Sequence, residues 1–371
     1  MKIVIDLRIY GPRVGGLGRY NQKLLEELVK IDLTNQYILI FKEAPDDLPQ
    51  LPANFQIKIA NCRWYTVKEQ IVMPFILYSL QADLVHFPHF NVPIFYRGKF
   101  LVTIHDLIMT KFPSRRASTH RNNFVFNFKY WFYNRIIKSA VHRAWRIIAV
   151  SEFGRQDLIK HFKMSSAQSD KIKVVYEGIT KLGSPFVEKI SLPENFFLYV
   201  GNAYPHKNLE FLIDVFIKFK IKHPDFYLIL IGQKNYFYER LKILTRQSHP
   251  LDKNNIIFVG YVPDNLLGAY YQQARAYVFP SLYEGFGLPP LEAMSLGTPI
   301  LSSQSSCLSE ILGPAALYFD PLREESLLEK MEMIICQENI AFDLKQAGFK
   351  QIEKYSWVKM AGSILEIYRT G

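Results

Sequence analysis

Short apolar runs alternate with helix-patterned stretches along the whole chain, and few folds accommodate that alternation. The runs fall at 3–7, 37–41, 84–86, 100–104, 147–150 and 172–175. After a gap they resume at 197–200, 227–231, 256–259, 276–279, 299–302 and 317–319. Several are apolar without alternation, the pattern of parallel strands covered by helices on both faces. Between them, 208–222 places Leu209, Leu212, Ile213, Phe216 and Phe219 on one helical face. Ser151 stands where the helix starting near Glu152 needs an N-cap. The expected class is α/β, doubly wound.

A chain of 371 residues exceeds what one core usually supports. The stretch from Thr180 to Asn195, with Gly183, Pro185 and Pro193, divides two series of strand–helix units. The expected domains are 1–180 and 181–355, followed by an amphipathic helix in 356–371 that packs back toward the first. No apolar run reaches the roughly 18–20 residues that span a bilayer. The opening run Met1–Leu7 contains Asp6 and reads as a buried strand rather than a signal peptide. Cys62, Cys307 and Cys336 are far apart and odd in number, which argues against a disulfide framework and fits a reducing cytoplasm. Nine of the eleven net positive charges lie between Lys111 and Arg146, a segment without Asp or Glu.

Two loops are suited to phosphate. The first, from Gly11 to Tyr20, contains Gly15, Gly16 and Gly18 between a strand and a helix, where backbone N–H groups and the helix dipole favour an anion. The alternative is that these glycines serve only a tight turn. The second loop runs from Gly201 through Asn202 to Lys207 and Asn208. Dipole complementarity disfavours a lysine at a helix N-terminus unless an anion lies between them. A solvated surface lysine is the alternative there.

A third segment runs Pro280-Ser281-Leu282-Tyr283-Glu284-Gly285-Phe286-Gly287-Leu288-Pro289-Pro290-Leu291-Glu292. A strand ends near Pro280, a glycine loop follows, and the prolines suit the first turn of a helix. The free N–H groups of such a loop bind hydroxyls and phosphate, and the two carboxylates accept hydrogen bonds from vicinal hydroxyls. His105, closing a strand, is either a ligand contact or a backbone-bonded histidine. His86 and His89 read as structural. No Asp-x-Asp pair and no zinc spacing of His and Cys occurs, so no metal and no cofactor is expected.

The frame around Glu284 and Glu292 closely resembles the signature of family four retaining glycosyltransferases. Gly16–Tyr20, His105–Leu107, Ser151–Phe153 and Gly201–Asn208 follow in the family's order. The run from Val85 through His86 and His89 to Pro93 is most like bacterial mannosyltransferases of O-antigen and surface polysaccharides. The resemblance implies a GT-B fold, two Rossmann-like domains facing across a cleft. It implies a nucleotide-diphosphate sugar donor, GDP-mannose being favoured, and a lipid-linked or polysaccharide acceptor. Glu292 would hold the donor ribose. Glu284 with the amides of Gly285, Phe286, Gly287 and Leu288 would hold the transferred sugar. Lys207 would neutralise the diphosphate, backbone near Gly16 would touch it, and His105 would contact the sugar near its 6-hydroxyl. The family often carries an arginine where Asn202 stands.

Transfer with retention is expected to follow a front-face path, and Glu284 as covalent nucleophile is the alternative. A UDP- or dTDP-dependent glucosyl- or rhamnosyltransferase and a sugar-nucleotide epimerase are rival readings. Aromatic residues interleave the cations between Lys111 and Arg146, which suits an anionic membrane face. A core-facing aromatic stripe with a solvated basic face is the plainer reading of that segment, and nucleic acid is the least favoured partner. The expected location is the cytoplasm, peripheral on the inner face of the plasma membrane.

Overall fold

The computed structural model describes residues 1–113, 123–180, 190–248 and 254–370. Two compact units emerge: one holds 1–110, 123–178 and 355–370, and the other holds the described part of 179–354 with 111–113.

The first unit is built on a seven-stranded sheet. Its strands are β1 (Lys2–Asp6), β2 (Gln36–Phe41), β3 (Phe55–Ile59), β4 (Leu84–Phe87), β5 (Phe100–Ile104), β6 (Arg146–Ala149) and β7 (Ile172–Val174). Every pairing is parallel, in the order β3-β2-β1-β4-β5-β6-β7. Strands β4 and β5 are buried at every residue, which explains why they are apolar but for His86 and Thr103, which bond to each other. Edge strand β3, Phe-Gln-Ile-Lys-Ile, exposes four of its five residues. It lacks a continuous apolar run, and so it is absent from the runs read in the sequence.

The helix Trp357–Arg369 belongs to this unit and packs on the helix Gly16–Ile31. Trp357, Met360, Ala361, Ile364, Leu365 and Tyr368 form its buried face. Tyr368 reaches the sheet, its hydroxyl 2.6 Å from Nδ1 of His86 on β4. The other ring nitrogen of His86 is 3.0 Å from the Thr103 hydroxyl on β5. This fully buried histidine joins two strands to the last helix.

The second unit has six parallel strands: β8 (Phe196–Val200), β9 (Tyr227–Ile231), β10 (Ile256–Gly260), β11 (Ala276–Phe279), β12 (Ile300–Ser303) and β13 (Leu317–Phe319). Their order is β10-β9-β8-β11-β12-β13. Each sheet therefore runs third-second-first-fourth from one edge, and its strand order reverses beside its first strand. Doubly wound sheets bind ligands outside the carboxyl ends of the strands at that reversal.

Ser151 caps its helix as expected, its hydroxyl accepting from the Gly154 N–H at 3.0 Å. Among the described residues no helix is long and apolar enough to cross a membrane. Arg115, Arg116 and Arg121 lie outside the described residues. The described helix Asn123–Arg143 buries Tyr133 and exposes about half of Phe128 and Trp131, so its aromatics divide between core and solvent.

Candidate functional site

In the second unit the reversal lies between β8 and β11, and the loops leaving those strands are the two motifs read from the sequence. The first leaves β8 at Gly201, whose φ of 154° is one that side chains rarely adopt. A Cβ there would stand 2.7 Å from the Tyr199 hydroxyl. Asn202 is used locally: its side-chain oxygen accepts from the Tyr204 N–H at 3.2 Å. A short turn, Pro205–Lys207, precedes the helix Leu209–Lys220, and Asn208 between them is left-handed with φ 57°.

The second loop leaves β11 at Pro280. Gly287, with φ 94°, leads into the helix Leu288–Ser295, and Pro289 and Pro290 occupy its first turn. The Leu282 N–H donates to the His206 carbonyl at 2.7 Å and ties one loop to the other. The Ser306 hydroxyl accepts from the Glu284 N–H at 2.9 Å, and the Cys307 thiol lies 3.4 Å from the carbonyls of Glu284 and Phe286.

These restraints bring Lys207 and Glu284 together across 77 residues, with Nζ donating to Oε1 at 2.5 Å. Their side chains are 12% and 9% exposed. Lys207 is therefore no solvated lysine, and the anion beside it is the Glu284 carboxylate. Its ammonium also lies over the Phe279 ring, 5.3 Å from the centroid. Burial, with Lys207 nearby, depresses the pKa of His206 to about 4, so that ring is neutral near pH 7. Glu292 is buried on the helix Leu288–Ser295.

The first unit reverses between β1 and β4. Gly11 and Gly15 after β1 have φ of 85° and 84°. A Cβ on Gly18 would lie 2.1 Å from the Gly11 carbonyl oxygen, so three of these glycines are demanded by the turn. Gly16 is not: a Cβ there meets nothing within 4 Å.

Beside that turn lies a charge network with no counterpart among the residues singled out from the sequence. Arg8 donates to Asp6 through Nε at 2.8 Å and Nη2 at 2.6 Å, and to Glu69 at 2.6 Å. Asn91, after β4, donates to both Glu69 oxygens at 2.8 and 2.7 Å. Burial opposes the charge on Arg8, and Asp6 and Glu69 more than offset it, holding the guanidinium pKa above its ordinary value. Asp6, Arg8 and Asn91 line a small cavity with Asn21, Trp64 and His89, and the buried side-chain oxygens of Asn21 and Asn91 have no hydrogen-bond partner among the described residues.

His105 follows β5, with Nδ1 2.9 Å from Glu177 and Nε2 3.1 Å from the Pro88 carbonyl. Glu177 went unnoticed in the sequence because no motif marks it. Among the described residues no three His, Cys, Asp or Glu side chains are grouped to hold a metal ion.

A family model for group 1 glycosyl transferases matches residues 183–351, and one for glycosyltransferase family 4 matches 14–180. The O-antigen chain mannosyltransferase RfbU of Salmonella typhimurium is 30% identical over 87% of this chain and 88% of its own. The serotype-specific mannosyltransferase WbdA of Escherichia coli is 30% identical over 76% of this chain. The chain spans about a third of WbdA's length. HepE of Anabaena, solved in complex with UDP-glucose, shares the fold at TM-score 0.71, with 16% identity and full coverage of both chains. With the two models together matching most of the chain and a relative 30% identical over 87% of it, the chain belongs to the group 1 and family 4 glycosyl transferases of the GT-B fold.

Proposed function

We propose that the protein transfers a hexose, mannose from GDP-mannose, to a glycan acceptor with retention and without a metal ion. The observation that carries this reading is the Lys207–Glu284 contact at the β8/β11 reversal, a paired cation and carboxylate on two loops. Mannose is supported by the names of RfbU and WbdA, and a nucleotide-diphosphate donor by the UDP-glucose bound to HepE.

Glu292 holds the ribose hydroxyls, and Glu284 with the amides of Gly285, Phe286, Gly287 and Leu288 holds the sugar. Breaking the bond from the anomeric carbon to the phosphate oxygen gathers negative charge on the diphosphate. Lys207 and loop amides, backbone near Gly16 among them, neutralise it. Asn202, held in its own turn, supplies no charge. The departing phosphate oxygen takes the proton of the acceptor hydroxyl on the same face, and configuration is retained.

Incubation with a panel of nucleotide sugars and a mannosylated acceptor, with EDTA present, tests the reading. Release of GDP with formation of the α-linked product is expected. Isomerised donor without release of nucleotide, or loss of turnover in EDTA, overturns it.

We also propose that, where the acceptor is lipid-linked and not a free polysaccharide, the enzyme works on the inner, anionic face of the plasma membrane. Support comes from the exposed stripe Val67, Ile71, Phe75 and Tyr78 on the helix Val67–Ser79, and from Trp131 with Arg135 stacked 5.0 Å above it. Sedimentation with phosphatidylglycerol vesicles, weakening as salt rises, is expected. Equal sedimentation with neutral vesicles removes this part of the reading.

A further inference from the structure

Both ring nitrogens of His105 meet acceptors. The Pro88 carbonyl oxygen, 3.1 Å from Nε2, only accepts, so Nε2 carries a proton. A second proton lies between Nδ1 and Glu177 Oε1 at 2.9 Å, whichever of the two holds it. Neither ring nitrogen is left with a free lone pair to act as a base. Its orientation is set as well: the Tyr20 ring stands edge-on, 4.6 Å away at 90°. Glu177 is 5% exposed and 72 residues distant in sequence, so the carboxylate is placed there by the fold and sheltered from water.

We infer that Glu177 is a positioning residue for the transfer reaction, holding His105 as a doubly protonated, fixed ring and never as a base. The inference rests on the assignment of His105 to the sugar site. The charged and titratable groups around the ring are Glu177 beyond β7, Asp106 on its own loop, His86 on β4, His89 after β4 and Tyr20 on the helix Gly16–Ile31. Burial disfavours charge on His105. The hydrogen bond and charge of Glu177 outweigh it, aided by the Pro88 carbonyl and Asp106, so the ring's pKa rises above 6.5. His86 has no such carboxylate and falls to about 3, so it brings no competing cation. Because the pKa of His105 is raised, its contribution is complete below pH 6.5 and is lost as pH climbs through the higher value.

The test is nitrogen-resolved NMR of the His105 ring beside pH–rate profiles of the wild type and Glu177→Gln. At about pH 6.5 the wild-type ring shows mostly both nitrogens protonated and the variant ring a larger singly protonated share. The alkaline limb of turnover moves down by about one pH unit or more in the variant, with the donor Michaelis constant changed less than about threefold. Glu177→Asp restores part of the shift. A singly protonated wild-type ring overturns the inference, and that spectrum is informative even if the variant fails to fold. An unmoved alkaline limb in a folded variant also overturns it and leaves Glu177 a structural residue. The expected spectra in an enzyme that transfers no sugar sink the assignment of His105 to a sugar site and leave the pair intact.

Discussion

The carboxyl ends of the two sheets share one topology and use charge in opposite ways. At the β1/β4 reversal Arg8, Asp6, Glu69 and Asn91 bond to one another in a closed, buried set. At the β8/β11 reversal one lysine and one glutamate on separate loops make a single pair. The first arrangement holds loops in place, because every strong acceptor around Arg8 is already engaged. Under the proposed function the second is open to reorganisation, because a donor diphosphate would take Lys207 from Glu284. Strand order decides where loops converge, and side chains decide whether the convergence is scaffold or site.

The largest break in this comparison is expected from Arg8→Ala. It leaves Glu69 and Asp6 buried without their cation and costs about 4 kcal/mol of stability. A denaturation midpoint that shifts by the equivalent of less than about 1 kcal/mol refutes the scaffold role. Next is Lys207→Ala, which removes charge neutralisation that grows toward the transition state. Turnover falls by about 100-fold, near 3 kcal/mol of barrier. Turnover within a few-fold of wild type in steady-state assays rejects that role.

Glu292→Ala sharpens the contrast within the second unit. A ribose contact is uniform binding, so the donor Michaelis constant rises about tenfold while turnover at saturation stays near wild type. A large fall in turnover at an unchanged Michaelis constant argues against it. The smallest effect is expected at Gly16. Its Cβ has open space, so Gly16→Ala changes stability by less than about 0.5 kcal/mol while weakening donor binding several-fold. Gly18→Ala, by contrast, drives a Cβ into the Gly11 carbonyl and destabilises the turn. Equal stability losses at the two positions remove the argument that Gly16 is a glycine for a ligand's sake.

The fold class was legible because it rests on local signals: unbroken apolar runs, amphipathic stretches, and the glycines and prolines at strand ends. Edge strand β3 escaped because a mostly exposed strand of alternating residues carries no such run. Of the candidate residues, Glu284 and Glu292 stood out through spacing within one loop and helix. The Arg8 network and Glu177 did not, since Arg8 meets Glu69 across 61 residues and His105 meets Glu177 across 72. A pairwise contact over that distance leaves no periodicity to read.

The sequence by itself determined two series of strand–loop–helix units, the phosphate-suited glycine loops and the glutamate frame, because backbone conformation and hydrophobic periodicity act over a few residues. Tertiary structure alone decided that β8 and β11 lie side by side, so that Lys207 finds Glu284 instead of solvent. It also decided that Tyr368, near the end of the chain, closes over His86 in the first sheet. Such pairings follow from parallel-sheet order and close packing, which only the assembled chain possesses.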